Sequence, residues 1–173
     1  PTATAIEKFE EKLTQKGLSL PEHSDFQNSF AKVFCCSQFI AESCTRYPEL
    51  LLNLVSSEDL FNASRRESYA DYLAAQTIGS ENELMQKLRY FRRREMVRIA
   101  WRDLAGWSEL DETLKDLTAL AETCIQFALD YLYQQACERR GTPQLADGTA
   151  INIVVLGMGK LGAWELNYSS DID

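Results

Sequence analysis

Three glycines, a lysine and two aspartates stand close together in the last part of the sequence, and residues of these types could handle phosphate. Gly157, Gly159 and Gly162 follow an apolar segment, and Lys160 lies among them. Glycine lets the backbone approach a phosphate closely, and the lysine adds a positive charge beside it. The segment 169–173, Ser-Ser-Asp-Ile-Asp, follows shortly after. This combination is typical of phosphoryl or nucleotidyl transfer.

The two acids of this segment have a spacing that suits a metal ion. If residues 170–173 form a strand, the side chains of Asp171 and Asp173 point the same way and lie ~6.5 Å apart along it. Their mutual repulsion at an effective dielectric constant of ~20 is roughly 2.5 kcal/mol. A divalent cation between them turns this repulsion into attraction, and carboxylate oxygens suit Mg²⁺. We therefore predict a Mg²⁺ site; the alternative is a solvated turn whose aspartates only cap backbone amides.

The glycine pattern also permits a second interpretation. Residues 157–162 match the G-x-G-x-x-G sequence that binds a dinucleotide after a strand. That use requires a full helix after the glycines, a second strand and an acidic residue ~20 positions further on. Asp171 and Asp173 come too soon for it. A dinucleotide-dependent oxidoreductase is therefore an alternative, but not the favoured one.

Most of the chain before residue 140 predicts helices. Capping boxes, in which side chains satisfy the free amides of a first helical turn, are formed by Ser24 with Gln27, Ser80 with Glu83, and Ser108 with Asp111. We expect the helix from residue 80 to reach about residue 104, and that from residue 108 to reach about residue 140, where Gly141 ends it. A shorter helix is expected over 38–46. The last long helix carries an apolar stripe that must be buried, made of Leu114, Leu117, Ala121, Cys124, Ile125, Ala128 and Leu132.

The helix predicted from residue 80 holds seven of the chain's 18 basic residues. Helical spacing places Lys87, Arg94 and Arg98 on one side. This side is either solvated or meets phosphate or an acidic partner, because guanidinium groups bind oxyanions bidentately. Arg92 leans toward an apolar face, where we expect it to form a partly buried pair with Glu95.

The pattern changes at residue 141. Turn residues over 141–149 precede residues 151–156, Ile-Asn-Ile-Val-Val-Leu, which predict a strand buried on both faces. We therefore predict a mainly α fold, with a helical region over 1–140 and the beginning of an α/β (α+β) domain over 141–173. A further alternative is a helical regulatory module that binds a partner protein and only borders a catalytic domain.

Charge, hydrophobicity and the numbers of cysteines and histidines argue against several classes of protein. The net charge of −8 argues against nucleic-acid binding, which needs a basic surface. No apolar run approaches the ~20 residues that span a bilayer, and the first residues do not have the pattern of a signal peptide. The five cysteines form no C-x-x-C pair and His23 is the only histidine, which argues against zinc. We expect a cytoplasmic protein that binds neither nucleic acid nor a membrane.

Three segments resemble the glutamine synthetase adenylyltransferase/adenylyl-removing enzyme family, part of the DNA polymerase β-like nucleotidyltransferase superfamily. They are residues 88–101 (LRYFRRREMVRIAW), 157–162 (GMGKLG) and 165–173 (ELNYSSDID). In this family an N-terminal half removes AMP from a tyrosine of glutamine synthetase by phosphorolysis, giving ADP, and a homologous C-terminal half attaches AMP from ATP. The Gly-Met-Gly-Lys turn and the Asn-Tyr-Ser-Ser-Asp-Ile-Asp segment are similar to the N-terminal half, which favours removal.

The resemblance implies a role for each residue of the site. Asp171 and Asp173 are expected to be catalytic and to hold Mg²⁺, while phosphate or nucleotide is expected to bind Gly157, Gly159 and Lys160, with help from Ser170. Many superfamily members have Gly-Ser in the loop, whereas Lys160 follows Gly159 here. The superfamily also uses a third carboxylate from a later strand, so we expect the 173-residue piece alone to be inactive.

The resemblance also implies partners. Adenylylated glutamine synthetase is expected as the protein substrate, with phosphate and ADP or ATP as small ligands. A PII-type nitrogen-signal protein is expected as the regulatory partner, together with a response to glutamine.

Overall fold

The structure, a computed structural model, describes residues 2–63 and 66–170 and is mainly α, as predicted. In chain order the helices are α1 (Thr2–Gln15), α2 (Ser24–Cys36), α3 (Gln38–Arg46), α4 (Pro48–Ser56), α5 (Arg66–Ala74), α6 (Glu81–Ala105), α7 (Leu110–Arg140) and the single turn α8 (Gly159–Gly162). The described residues fall into two compact units. The first contains residues up to 63 together with 90–113, and the second contains 66–89 together with 114–170. No helix in the described ranges combines the length and apolar character needed to cross a membrane.

Two of the predicted helix ends are confirmed, the start at Ser80 and the end at Gly141. Ser80 Oγ accepts the amide of Glu83 at 3.2 Å, and Glu83 reaches back to the amide of Gly79 at 2.9 Å. At the C-terminal end of α7, the amide of Gly141 bonds to the carbonyl of Cys137 at 2.8 Å. The capping box expected at Ser24 is wrong, because Ser24 already lies inside α2 and the residue before it makes no side-chain cap.

Aromatic side chains form the core of the first unit. Trp101 of α6 is fully buried and stacks on Phe26, with ring centroids 5.4 Å apart. Its indole Nε1–H donates to Ser29 Oγ at 3.0 Å, so the polar edge of the ring is satisfied within the core. Phe9 and Phe34 lie in the same cluster, with centroids 5.2 Å apart. These contacts hold the C-terminal part of α6 against α1 and α2.

An ion network in the first unit corrects the sequence reading of the arginines. Arg94 and Arg98 are 4% and 0% exposed, so their side of the helix is neither solvated nor open to a phosphate. Both bind the same carboxylate: Arg98 Nε donates to Glu95 Oε2 at 2.7 Å, and Arg94 Nη1 donates to Oε1. Arg92 is exposed, so the predicted Arg92–Glu95 pair is wrong. Glu95 instead neutralises two buried guanidinium groups.

The same arginines fasten the loop that follows α4. Arg94 Nη2 donates to Asp59 Oδ2 in this loop, and Arg98 Nη1 donates to the carbonyl of Asn62 at 3.2 Å. Arg102 Nη1 donates to the carbonyl of Phe61 at 2.7 Å. Because these carbonyls lie outside any helix, they have no intrahelical donor and need one from a side chain. The arginines of α6 therefore supply the hydrogen-bond donors that these loop carbonyls lack within the backbone.

Glu58, two residues after the end of α4, has a strained backbone conformation. Its φ is 60°, in the left-handed region, and its amide bonds back to the carbonyl of Val55 at 3.1 Å. This is the hydrogen-bond pattern of a helix end at which glycine is usual. The side chain of Glu58 is exposed and points into solvent rather than the core. The position therefore carries a backbone cost with no compensating burial.

Replacing Glu58 by glycine is expected to stabilise the chain by up to about 1 kcal/mol, because a left-handed residue with a Cβ costs roughly 1–2 kcal/mol and glycine also loses entropy on folding. A rise in melting temperature of about 2–4 °C should follow for a chain of this size. Thermal unfolding followed by circular dichroism measures it. Glu58→Ala keeps the Cβ and serves as the control, so an equal gain in both variants would contradict this account.

Within the second unit, α7 is buried around residues 116–120 and becomes more exposed to solvent toward its C-terminal end. Leu117 and Leu120 are buried, whereas Ile125 is half-buried and Leu132 is exposed. The predicted apolar stripe is therefore covered only in its first part among the described residues. Thr118, between the two buried leucines, is fully buried, and its hydroxyl donates to the carbonyl of Leu114 at 2.9 Å.

The segment after α7 forms a tight turn but no strand. Gln144 and Ala150 form one isolated antiparallel bridge, and the amide of Leu145 bonds to Thr149 at 2.8 Å across the predicted turn. Residues 151–156 belong to no strand and are exposed, with Leu156 at 81%. The predicted buried strand is thus wrong for the described chain. A strand exists only with a neighbour to accept its ladder bonds, and the described residues offer none beyond this bridge.

Candidate functional site

The glycine turn of the candidate site is shaped by two of its glycines. Gly159 begins α8 with a φ of 58°, which L residues rarely adopt. A Cβ on Gly162 would lie 2.3 Å from the carbonyl oxygen of Gly157, so the backbone of the turn closes upon itself too tightly for any side chain. These contacts explain the spacing of the motif. They bring residues 157 and 162 together around Lys160.

A charged and aromatic cluster borders the end of the glycine turn. The amide of Glu165 bonds to the carbonyl of Lys160 at 2.9 Å, which closes α8 after one turn. Trp164, with a φ of 60°, lies at this helix end. The guanidinium of Arg66 lies 5.9 Å from the centroid of its ring and 3.1 Å from the carboxylate of Glu122. Arg66 therefore links α5, α7 and the residue after α8 within the second unit.

A second turn, centred on Asn167, leads to the predicted metal ligands. The side-chain oxygen of Asn167 accepts the hydroxyl of Ser170 at 2.8 Å and the amide of Ser169 at 3.2 Å. The amide of Asn167 donates to Ser170 Oγ at 3.2 Å, and the amide of Ser170 donates to the carbonyl of Asn167 at 3.1 Å. Asparagine is suited to such turns because its side chain mimics a backbone carbonyl. The hydroxyl of Ser170 is consequently engaged inside the protein.

The turn is fixed to α7 immediately before Asn167. Leu166 is 6% exposed, and its amide donates to Thr118 Oγ1 at 3.3 Å. Thr118 is fully buried, so this hydrogen bond lies away from water and is costly to leave unmade. The segment 165–170 thus has one buried side chain, Leu166, and one buried hydrogen bond to α7.

A groove of about 740 Å³ joins the two turns. It is lined by Gly159 and Lys160 from the glycine turn, by Ser169 and Ser170 from the Asn167 turn, and by apolar side chains such as Ile125 of α7. Its volume is in the range of small-molecule sites. Both turns therefore face one concave surface within the second unit.

The structure brings together three of the six predicted site residues in this groove: Gly159, Lys160 and Ser170. Gly157 lies beside it, packed on Gly162. Asp171 and Asp173 lie outside the described residues, so their pairing stays a prediction. Within the ranges 2–63 and 66–170, no group of three or more His, Cys, Asp or Glu side chains is arranged to hold a metal ion.

The dinucleotide interpretation fits the geometry poorly. α8 is a single turn of four residues, Gly159–Gly162, and Trp164 already lies in a left-handed conformation that stops it. The dinucleotide fingerprint instead opens a full helix whose first turn holds the pyrophosphate. The short helix and the prompt return of the chain to α7 favour a compact phosphate loop.

Sequence reasoning missed Asn167 and Thr118. A signal for the first was present, because an asparagine two and three residues before serines is typical of a side-chain-closed turn. Thr118 gave no such signal. It lies between apolar residues of α7 and reads as part of the helix, and only the folded chain places its hydroxyl against the amide of Leu166.

Comparisons with known proteins give the family. The model of the glutamate–ammonia ligase adenylyltransferase family matches residues 27–173. A bifunctional glutamine synthetase adenylyltransferase/adenylyl-removing enzyme from Nitrosococcus oceani is 47% identical over 171 residues, which cover 97% of this chain and 18% of that protein. The proteins of the same name from Thioalkalivibrio sulfidiphilus and Methylococcus capsulatus are 42% and 37% identical, over 97% and 99% of this chain and 17% and 18% of their own lengths.

The chain therefore spans less than a fifth of each of these relatives. The match nevertheless includes both turns of the groove and almost all of the helices. On this evidence the chain belongs to the glutamate–ammonia ligase adenylyltransferase family.

Proposed function

We propose that this chain is part of the enzyme half that removes AMP from an adenylylated tyrosine of glutamine synthetase by Mg²⁺-dependent phosphorolysis. The observation that supports it is the groove in which Gly159, Lys160 and Ser170 meet, directly before the two acids of the sequence. The names of the relatives include both adenylyltransferase and adenylyl-removing activity. The resemblance of residues 157–160 and 167–173 to the N-terminal half favours removal.

The proposed reaction is a single group transfer. An oxygen of hydrogen phosphate forms a bond to the adenylyl phosphorus while the bond from phosphorus to the tyrosine oxygen breaks. The products are ADP and the tyrosine hydroxyl, which takes the proton that the phosphate carried. Charge develops on the phosphoryl oxygens and on the leaving tyrosine, so catalysis depends on positioning and electrostatic stabilisation.

The residues of the groove fit this task. The turn 157–162 has no side chain at three positions and lets phosphate oxygens approach its backbone. Lys160 is exposed at the groove and supplies a cation for them. Asp171 and Asp173 would hold Mg²⁺, because hard carboxylate oxygens are its preferred ligands. When bound, the ion neutralises charge on the transferred group.

A PII-type signal protein is proposed as the regulatory partner, as the family resemblance implies, and glutamine synthetase as the protein substrate. The attaching activity is the alternative. It would use the same groove with ATP and release pyrophosphate, so products distinguish the two.

Replacing Lys160 by methionine tests the proposal in the full-length bifunctional enzyme. A charge-assisted hydrogen bond contributes about 1.5–3 kcal/mol, so we expect a roughly 10- to 100-fold loss of kcat/KM for removal, mainly through a higher KM for phosphate. Release of ADP from labelled adenylyl-glutamine synthetase measures it. Attachment of AMP from ATP, measured on the same preparation, should be unchanged.

The opposite pattern would overturn the assignment. If Lys160→Met impaired attachment and left removal intact, the groove would belong to the attaching half. If it changed neither activity, Lys160 would have no part in either reaction.

A further inference from the structure

A single side chain closes the turn that leads to the predicted metal ligands. Asn167 Oδ1 accepts three hydrogen bonds, from the amide of Ser169 at 3.2 Å, its hydroxyl at 3.1 Å and the hydroxyl of Ser170 at 2.8 Å. Two more bonds, between its own backbone and Ser170, complete the turn. Ser170 is covalently joined to Asp171. The conformation of the residue before the first acid is thus set largely by one carboxamide oxygen.

The residue before the turn, Leu166, is held in place by burial and by a hydrogen bond to α7. Leu166 is buried within the second unit, and its amide donates to the hydroxyl of the fully buried Thr118. Asn167 itself is only half-buried. Its side chain therefore adds little to the core, while its hydrogen bonds all lie within the segment 167–170.

We propose that Asn167 is a positioning residue for the Mg²⁺-binding pair Asp171 and Asp173, an inference that rests on the proposed function. Two carboxylates near one another repel before the ion arrives, so their approach must be imposed by the chain that carries them. The Thr118–Leu166 anchor fixes where that chain starts, and Asn167 fixes its course over the next three residues. In this role Asn167 acts through the backbone that precedes Asp171, and the role needs no direct contact with the ion or the substrate.

The hydrogen bonds predict which replacement preserves the role. Every side-chain bond of Asn167 within the described ranges uses its oxygen as acceptor. Aspartate retains that oxygen, and its added charge favours a nearby cation, so Asn167→Asp should keep the turn. Leucine has the same branched skeleton of four side-chain heavy atoms without an acceptor, and alanine removes the group altogether.

The test uses the full-length enzyme and two readouts. In Asn167→Ala and Asn167→Leu we expect the Mg²⁺ concentration for half-maximal AMP removal to rise ~10- to 100-fold, the usual effect of losing a residue that orients metal ligands. Much of kcat should return at saturating Mg²⁺. Binding of Mn²⁺, followed by electron paramagnetic resonance without substrate, should weaken by the same factor. Asn167→Asp should show the wild-type Mg²⁺ midpoint or a lower one, and Asn82→Ala, an exposed asparagine of α6, is the matched control.

The outcomes separate this inference from the proposed function. If the wild type removes AMP and the alanine and leucine variants keep its metal dependence, the inference is wrong and the function stands. If the wild type binds no Mn²⁺ and removes no AMP, both fail. If both variants lose folded protein in thermal melts while Asn167→Asp does not restore metal binding, Asn167 serves stability only, and the positioning role is overturned.

Discussion

Glu95→Leu is expected to lower the free energy of unfolding by about 3–5 kcal/mol, the effect of removing one partner from a buried ion pair. Glu95 is 2% exposed and its carboxylate binds Arg94 and Arg98, the second of which is fully buried. Leucine would leave two guanidinium groups facing an apolar side chain. Domains are stable by about 5–15 kcal/mol in total, so the variant should be marginal. Urea unfolding followed by tryptophan fluorescence measures the loss.

The comparison that isolates the network replaces all of its central members. Arg94→Met, Glu95→Leu and Arg98→Met together should recover much of the stability lost by Glu95→Leu alone, because no uncompensated charge is left buried. Glu11→Leu, an exposed glutamate of α1, should change stability by no more than about 0.5 kcal/mol. Equal losses for Glu95→Leu and Glu11→Leu would show that the network contributes nothing to folding.

The pH dependence of stability should reflect Asp59 at the edge of this network. Partial burial opposes the ionisation of Asp59, but the hydrogen bonds from Ser57 and Arg94 outweigh it and hold the pKa of this carboxyl below its ordinary value of 3.8. A carboxyl with a lowered folded-state pKa stabilises the protein above the ordinary value. That contribution should disappear as the pH falls through the lowered pKa.

The sequence contained the information that the arginine side of α6 is buried, but helical spacing alone did not reveal it. Arg94, Arg98 and Trp101 follow one another at four- and three-residue intervals, so the charged side is also the side of a tryptophan. The charge of the arginines suggested that this side faces solvent. The structure shows instead that it is buried, because its arginines donate hydrogen bonds to the backbone carbonyls of residues 61 and 62. Those carbonyls belong to a loop 36 or more residues earlier, and no local pattern connects them to α6.

The helix ends and the glycine turn could be predicted because each depends on residues close in sequence. Ser80 and Glu83 cap their own helix, and Gly162 is required by Gly157 only five residues before it. Residues 151–156 show the opposite case. Their β-branched composition favours a strand, but a strand also needs a partner, and composition says nothing about where that partner lies.

The candidate site was predictable in its residue types and not in its support. Glycine spacing and one lysine predicted a phosphate-binding set, and the structure places Gly159, Lys160 and Ser170 around one groove. Phosphate binding by these residues stays a prediction. The role given to Ser170 needs refinement, because its hydroxyl is donated to Asn167. Support of this kind arises from hydrogen bonds between polar residues without strong periodicity, for which a sequence gives only weak signals.

Replacing either Asp171 or Asp173 by asparagine should remove most of the AMP-removing activity of the full-length enzyme. Each substitution keeps the shape of the side chain and deletes one negative charge. Charge stabilisation by a bound metal contributes several kcal/mol to the transition state, and each 1.36 kcal/mol is a factor of ten in rate. We therefore expect kcat for removal to fall by ~10²- to 10⁴-fold, with little change in AMP attachment.

Asp147→Asn provides the matched control for these variants. Asp147 is an exposed aspartate of the same unit, and its Oδ1 accepts the amide of Thr149 at 2.9 Å, a bond that asparagine can also make. It should retain wild-type activity at every Mg²⁺ concentration. Asp171→Asn and Asp173→Asn should bind Mn²⁺ weakly. Their melting temperature should equal that of the wild type, because each substitution removes a metal ligand and does not disrupt the fold. If either variant removed AMP at the wild-type rate with wild-type metal affinity, that aspartate could not be a metal ligand. Other residues would then have to bind the metal ion or carry out catalysis.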